Sequence, residues 1–212
     1  MKNVLKTRYT AWFVALISAV VLTGAALPAM AQSAGGLFIE PGVTYERGTT
    51  KTDWPLIATD SSGESNGLGL MARLGFHLAD IVLLGLDARY SMPNFKDSSV
   101  NYSADATQFN WGPMVGIQTP VFGLRVWATY VAGGMLDPKA SNSFDVKWED
   151  STGYRIGAGL RWLMLSFNLE YQSLKYDKLT VENAGGLTLG SFSSVKPKND
   201  SWIVSVSFPF DM

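Results

Sequence analysis

The chain has 212 residues, 17 basic and 18 acidic, with a formal net charge of −1 and no cysteine. The absence of cysteine excludes a disulfide framework, a thiolate metal site and a lipid-bearing cysteine. The near-neutral charge argues against a nucleic-acid partner.

The chain opens on Lys2, Lys6 and Arg8, followed by a stretch from Trp12 to Leu22 that is apolar but for Ser18. Ala29 and Ala31 then bracket Met30 in an A-x-A pattern. This reads as a secretory signal peptide over residues 1–31, cleaved after Ala31. The apolar stretch is shorter than the ~20 residues that a helix needs to span a membrane. The segment holds three of the seventeen basic residues and no acid, so residues 32–212 carry fourteen against eighteen, a net −4.

Past the signal, the chain alternates with period two, the mark of strands with one apolar face. Leu37, Ile39, Val43 and Tyr45 oppose Glu40, Gly42 and Glu46 over 37–47. Leu68, Leu70, Ala72, Leu74 and Phe76 oppose Gly69, Met71, Arg73 and Gly75 over 67–76. In 81–91, Leu84, Leu86, Ala88 and Tyr90 oppose Gly85, Asp87 and Arg89. In 107–118, Phe109, Trp111, Val115 and Ile117 oppose Asn110, Gly112, Gly116 and Gln118. Over 123–132, Leu124, Val126, Ala128 and Tyr130 oppose Arg125, Trp127 and Thr129. The stretch 152–162 sets Tyr154, Ile156, Ala158, Leu160 and Trp162 against Arg155, Gly157, Gly159 and Arg161. In 165–176, Leu165, Phe167, Leu169 and Tyr171 oppose Ser166, Asn168, Glu170 and Gln172. An eighth strand, near 200–210, sets Trp202, Val204, Val206, Phe208 and Phe210 against Ile203, Ser205, Ser207 and Pro209.

The connections alternate as strictly as the residues. Segments 77–80, 119–122 and 163–164 read as tight turns, whereas 48–66, 92–106, 133–151 and 177–199 read as long polar loops. Four such loops are foreign to a compact soluble domain but expected of hairpins crossing a membrane, with short periplasmic turns and longer outer loops. Strands of ten to twelve residues match the ~9–11 that a tilted membrane strand requires.

Charge placement says which face is inside. Arg73, Arg89, Arg125, Arg155 and Arg161 lie mid-strand opposite the aromatics, with Glu40, Glu46, Asp87 and Glu170 on the same face, while every lysine after residue 31 falls in a long connection or at its edge. A solvated strand face would carry lysine. Arginine among carboxylates and glycines suits a cramped polar interior, because its planar fork satisfies several acceptors at once. Facing lipid at mid-depth, each arginine would cost about 2–4 kcal/mol, and five together would rival the ~5–15 kcal/mol stability of a whole domain. These nine residues are therefore expected to form an ion-paired interior. The apolar-face aromatics band at the strand ends: Tyr45, Tyr90, Phe109, Trp111, Tyr130, Tyr154, Tyr171 and Trp202 toward the long loops, and Phe76, Trp162, Phe208 and Phe210 toward the turns. Such bands read as the two interfacial girdles of a membrane barrel.

Together these features resemble the small eight-stranded outer-membrane barrels of the OmpA/OmpX type, over 37–210 and in architecture rather than motif. The resemblance implies an all-β, eight-stranded antiparallel up-and-down transmembrane barrel over residues 32–212, resident in the bacterial outer membrane. Outer-membrane lipid and lipopolysaccharide are its expected surroundings, and a monomer is expected. The strand Trp202-Val204-Val206-Phe208-Phe210 is similar to the C-terminal signal that the barrel-assembly machinery recognises in such proteins. That signal usually ends on the aromatic, whereas Asp211 and Met212 follow here.

No catalytic, cofactor or metal-ligand constellation stands out. His77, the one histidine, falls in a turn on the periplasmic side, away from the outer leaflet where lipid A-modifying barrels work. A non-enzymatic structural or surface-interaction role is expected, with Trp54, Phe95, Tyr102, Phe144, Trp148 and Phe192 in the loops as possible anchors for an extracellular ligand. The alternative is a small-solute channel, which an eight-stranded lumen just wide enough for its own side chains disfavours.

Overall fold

A computed structural model describes residues 36–52, 61–79, 81–97, 102–119, 123–140, 144–184, 190–192 and 196–212. The expected signal segment and Trp54 lie outside these residues, as do the side chains of Tyr102, Phe144 and Phe192. The strands are β1 (Leu37–Thr52), β2 (Ser61–Leu78), β3 (Val82–Asp97), β4 (Tyr102–Gln118), β5 (Leu124–Val131), β6 (Gly133–Pro138), β7 (Phe144–Trp162), β8 (Leu165–Ala184), β9 (Gly190–Phe192), β10 (Lys198–Ser207) and β11 (Phe210–Asp211).

They form a closed antiparallel ring of eight staves. Each stave pairs with the next in sequence, and β10 and β11 close the ring on β1 through Val43↔Val206 and Ile39↔Phe210. Strands β5 and β6 are two halves of one stave, paired in succession with β4 and broken at Ala132, whose amide still donates to Trp111 O at 2.9 Å. Strands β10 and β11 are halves of another, parted at Phe208 and Pro209; proline offers no ladder donor, and the Phe208 amide turns to Pro41 O at 2.8 Å. The short β9 hangs outside the ring on β8. Closure leaves the ring itself without an edge, so within it the ladder satisfies the backbone without water.

Residues bounding the tight turns take left-handed backbone: Ala79 (φ 50°), Gly123 (φ 61°) and Leu163 (φ 55°). For Ala79 and Leu163 this costs about 1–2 kcal/mol each, accepted where two strands must reverse within a few residues. Leu163 and Met164 make the β7–β8 turn and are 81% and 61% exposed, an apolar tip that fits a membrane interface better than water.

The long loops of the sequence reading require correction. Strands β1, β2, β3, β4, β7 and β8 run for 16, 18, 16, 17, 19 and 20 residues. Much of 48–66, 92–106, 133–151 and 177–199 is thus strand, not loop. The cause is an inversion of polarity at constant period. Along β8, Phe167, Leu169 and Tyr171 point out while Asn168, Glu170 and Gln172 are buried; beyond Ser173, Lys175 points out and Leu174 and Tyr176 are buried. Where the exterior changes from lipid to water, the apolar residues change sides.

The inverted end has its own core: Phe95, Ala106, Val131, Leu136, Trp148, Leu174, Tyr176, Leu179 and Val181. Trp148 meets Phe95 edge-on at 5.8 Å between ring centroids and Tyr176 at 6.1 Å. The buried series skips from Ser151 to Trp148 on β7 and from Tyr176 to Leu179 on β8, across Asp150 with its φ of 57°. That slip by one residue on adjoining strands turns Trp148 inward. Phe95 and Trp148 are therefore core residues rather than exposed anchors. Trp148→Ala is expected to lower the unfolding free energy by about 3–5 kcal/mol, against less than about 0.5 kcal/mol for Lys147→Ala on the outer face, both measured by urea unfolding in a lipid bilayer.

Candidate functional site

Halfway along the barrel, side chains from seven of the eight staves meet in the lumen. Alternation aims them there: Glu40 on β1, Arg73 on β2, Asp87 and Arg89 on β3, Asn110 on β4, Arg125 and Trp127 on β5, Arg155 on β7, and Asn168, Glu170 and Gln172 on β8 all belong to the buried series. Strand β10 completes the ring with Ser205 and Ser207.

Arg73 binds three carboxylates, through Nε to Asp87 at 2.9 Å, Nη1 to Glu40 at 3.3 Å and Nη2 to Glu170 at 3.2 Å. Arg89 reaches Asp87 at 3.0 and 3.2 Å and Glu170 at 2.6 Å. Arg125 grips both Glu40 oxygens, Nη1 at 2.7 Å and Nη2 at very short range, and Nη2 also donates to Asn168 at 2.8 Å. Arg155 donates to Asp87 at 2.8 Å, to Gln172 at 2.6 and 3.1 Å, and to Asn110. The Trp127 indole lies beneath two guanidiniums, with Arg73 at 4.2 Å and Arg125 at 5.2 Å from the ring, and its N–H donates to Glu170 at 3.4 Å. Cation–π contact of this kind adds to pairing where water is excluded.

One tier higher, Glu46 is buried and accepts from Gln172 Nε2 at 3.2 Å. It makes no ion pair among the described residues, and Gln172 relays it to Arg155. With Glu46 counted, four guanidiniums face four carboxylates and the interior is neutral. Arg161 is elsewhere. It sits at the turn end of the lumen, half-buried, pairing with Asp211 at 2.6 Å and donating to Pro209 O at 3.4 Å. Arg47 points outward and is exposed.

His77 is not a turn residue. It is the penultimate residue of β2 and faces the lumen, stacked on Phe38 at 4.9 Å, with Nδ1 3.4 Å from Asp211. The interior glycines of β7 make room for neighbours other than arginine. A Cβ at Gly157 would stand 2.5 Å from the Trp127 ring, and one at Gly159 would stand 2.3 Å from Asn168 Oδ1. Gln172, Asn110, Asn168 and Ser207 escaped notice as partners, although their place on the arginine face was the available signal.

On the outer face, Tyr45, Phe76, Trp111, Tyr130, Tyr154, Trp162 and Trp202 are between 44% and 69% exposed, and Tyr90, Tyr171, Phe208 and Phe210 are partly so. Tyr171 joins Trp202 at 5.3 Å and Tyr154 at 6.4 Å in a run across three staves. Val204 and Val206 continue the outward face below Trp202. Beyond the aromatic run, Lys178 and Thr180 donate to Glu149 at 2.8 and 3.0 Å and lower its carboxyl from the usual range.

Breaking a buried pair leaves a charge with no partner, at about 3–5 kcal/mol, whereas removing both partners costs less. Arg125→Met leaves Glu40 with only the longer contact to Arg73 and with Ser207, so it is expected to destabilise the barrel by about 3 kcal/mol, the lower end of that range, and Glu40→Gln added to it should restore part of the loss. Urea unfolding of the two single variants and the double variant measures the coupling; a cost under about 1 kcal/mol for Arg125→Met would contradict this assignment.

The architecture has parallels among known proteins. The chain resembles the outer membrane protein OprG of Pseudomonas aeruginosa at 15% identity, with a TM-score of 0.52, over 84% of this chain and 97% of that one. It aligns more loosely with Ail of Yersinia pestis, at 13% identity and a TM-score of 0.44 over 84% and 100% of the two chains. The Neisserial surface protein A gives 12% identity and 0.45 over 83% and 99%. A search of the curated proteins finds no match to the sequence. The family model for the outer membrane protein beta-barrel domain matches residues 17–210, and the chain belongs to that family, an eight-stranded β-barrel of the bacterial outer membrane.

Proposed function

We propose that the protein is a non-catalytic, closed barrel with a structural or surface-interaction role, anchored in the outer membrane and presenting its long-strand end to the exterior. The observation that carries this reading is the ion-pair lattice across the lumen. Arg73, Arg89, Arg125, Arg155 and Trp127 are each 5% exposed or less, and they meet in a barrel whose bore suits side chains rather than a water column. The apolar core above the lattice adds a second obstruction. Glu40, Asp87 and Glu170 are each held by guanidiniums, and Glu46, which pairs with none among the described residues, is buried and engaged by Gln172. Among the described residues no group of three His, Asp or Glu side chains could hold a metal ion.

The full chain in planar bilayers is expected to give no conductance steps above leak. The variant Arg73→Ala/Arg89→Ala/Trp127→Ala, checked for folding by heat-modifiable gel migration, is expected to conduct. Steps from the unaltered protein would favour the small-solute channel instead. Protease shaving of intact cells separates the two remaining roles: loss of adhesion with an intact envelope indicates display, and loss of envelope integrity indicates scaffolding.

A further inference from the structure

Four of the described lysines have acidic partners: Lys139 with Asp105 at 3.0 Å, Lys147 and Lys178 with Glu149 at 3.5 and 2.8 Å, and Lys196 with Asp177 at 2.9 Å. Lys96 stands directly across from Glu64 in the β2–β3 register. The other three share a single row. Lys51 on β1 lies opposite Lys198 on β10, and Lys198 lies opposite Lys175 on β8. All three are exposed on the outer face, and among the described residues no carboxylate comes within ion-pair distance of them. Ser62 and Thr152 flank the row with hydroxyls.

Directly opposed residues hold their Cβ atoms about 4.5–5.5 Å apart, and like charges so placed repel. Two such oppositions in succession oppose folding unless an anion relieves them. Nearby acids do not fill that role. Asp177, two residues beyond Lys175, is taken by Lys196. Asp200, in the row below, stands opposite Thr49 and Ser173 and makes no ion pair among the described residues. One row further down, Arg47 stands opposite Trp202, which stands opposite Tyr171. Arg47 too is exposed and without an ion pair among the described residues. Four cations less Asp200 leave a patch of net charge about +3.

Height identifies the anion. The lysine row is four residues above the Trp202–Tyr171 row, or about 13 Å along the strand and roughly 10 Å along the normal at the usual tilt. Below those aromatics the same staves present Val204, Val206, Leu169 and Phe167 outward, a wall for acyl chains. A lipid whose chains lay on that wall would bring its headgroup to the lysines; a free anion would gain nothing from it. We propose that Lys51, Lys198 and Lys175, with Arg47 beneath them, bind the phosphorylated headgroup of an outer-leaflet glycolipid. The site lies on the exterior and is independent of whether the lumen conducts.

The test uses the folded full chain in neutral detergent micelles, titrated with purified lipopolysaccharide, with the same material chemically dephosphorylated, and with inorganic phosphate, binding being read by native mass spectrometry. The phosphorylated lipid is expected to bind in preference to the dephosphorylated form. Lys51→Gln/Lys175→Gln/Lys198→Gln should lose about a hundredfold in affinity, from roughly 1 kcal/mol per cation. Replacing the same three by arginine should preserve binding, and Lys139→Gln/Lys147→Gln should leave it unchanged. Equal binding by the triple glutamine variant, or of the dephosphorylated lipid, would overturn the proposal. An equal loss in the distant double variant would reduce it to diffuse attraction, and displacement by inorganic phosphate at equal concentration would overturn the lipid as the source.

Discussion

A guanidinium halfway through a bilayer has no water to retreat to, and the rest of this structure depends on that. Burying an unpaired ion costs several kcal/mol or more, and a pair of ions recovers the cost only with good geometry and every remaining hydrogen bond made. The barrel meets most of these terms by surrounding each charge with several partners, and leaves Arg89 Nη1 and Arg125 Nε buried without an acceptor among the described residues. Asp87 is held by Arg73, Arg89 and Arg155, and Glu40 by Arg125, Arg73 and Ser207. Arginine does this where lysine would not, because one planar fork can serve acceptors on different staves. The same exclusion of water demands a closed ladder, and Val43↔Val206 and Ile39↔Phe210 complete it.

A single stave shows how the environment writes itself into the chain. On β8 the strand is regular from Leu165 to Tyr176, with no change of period, yet its lumen side passes from Asn168, Glu170 and Gln172 to Leu174 and Tyr176. The lower section is a membrane protein, with polar groups within and apolar groups without. The upper section is built like a soluble barrel, its apolar core sheathed by Lys175, Asp177 and Lys178. Gln108 spans the seam between them, donating to Tyr176 OH at 3.1 Å and accepting from Ser91 at 3.4 Å. Two sources of stability thus share one sheet, ion pairs at mid-depth and hydrophobic packing above.

The membrane-spanning part was legible in the sequence because a strict period and a constant polarity coincide there. Residues such as Leu68 and Leu70 against Met71 and Arg73 name both the strand and its inner face. The upper strands were hidden by their inversion: Asp177, Lys178 and Thr180 read as loop when alternation is sought with the apolar face outward, and the slip around Asp150 blurs what remains. Pair partners were less legible than faces. That Arg161 leaves the lattice for Asp211, or that Gly157 makes room for Trp127, depends on stagger between staves. The Lys51–Lys198–Lys175 row is the extreme case, since its members lie far apart in the chain and only the register aligns them.

The central claim is one of orientation, with aromatic and aliphatic side chains toward lipid and the charged tier enclosed. It is tested most directly by tryptophan quenching with brominated acyl chains, using two variants that keep either Trp127 or Trp202 as the sole tryptophan. Trp127 is 4% exposed and Trp202 is 58% exposed. Strong quenching of Trp202 with little or none of Trp127 is the expected result; comparable quenching of both would contradict the account.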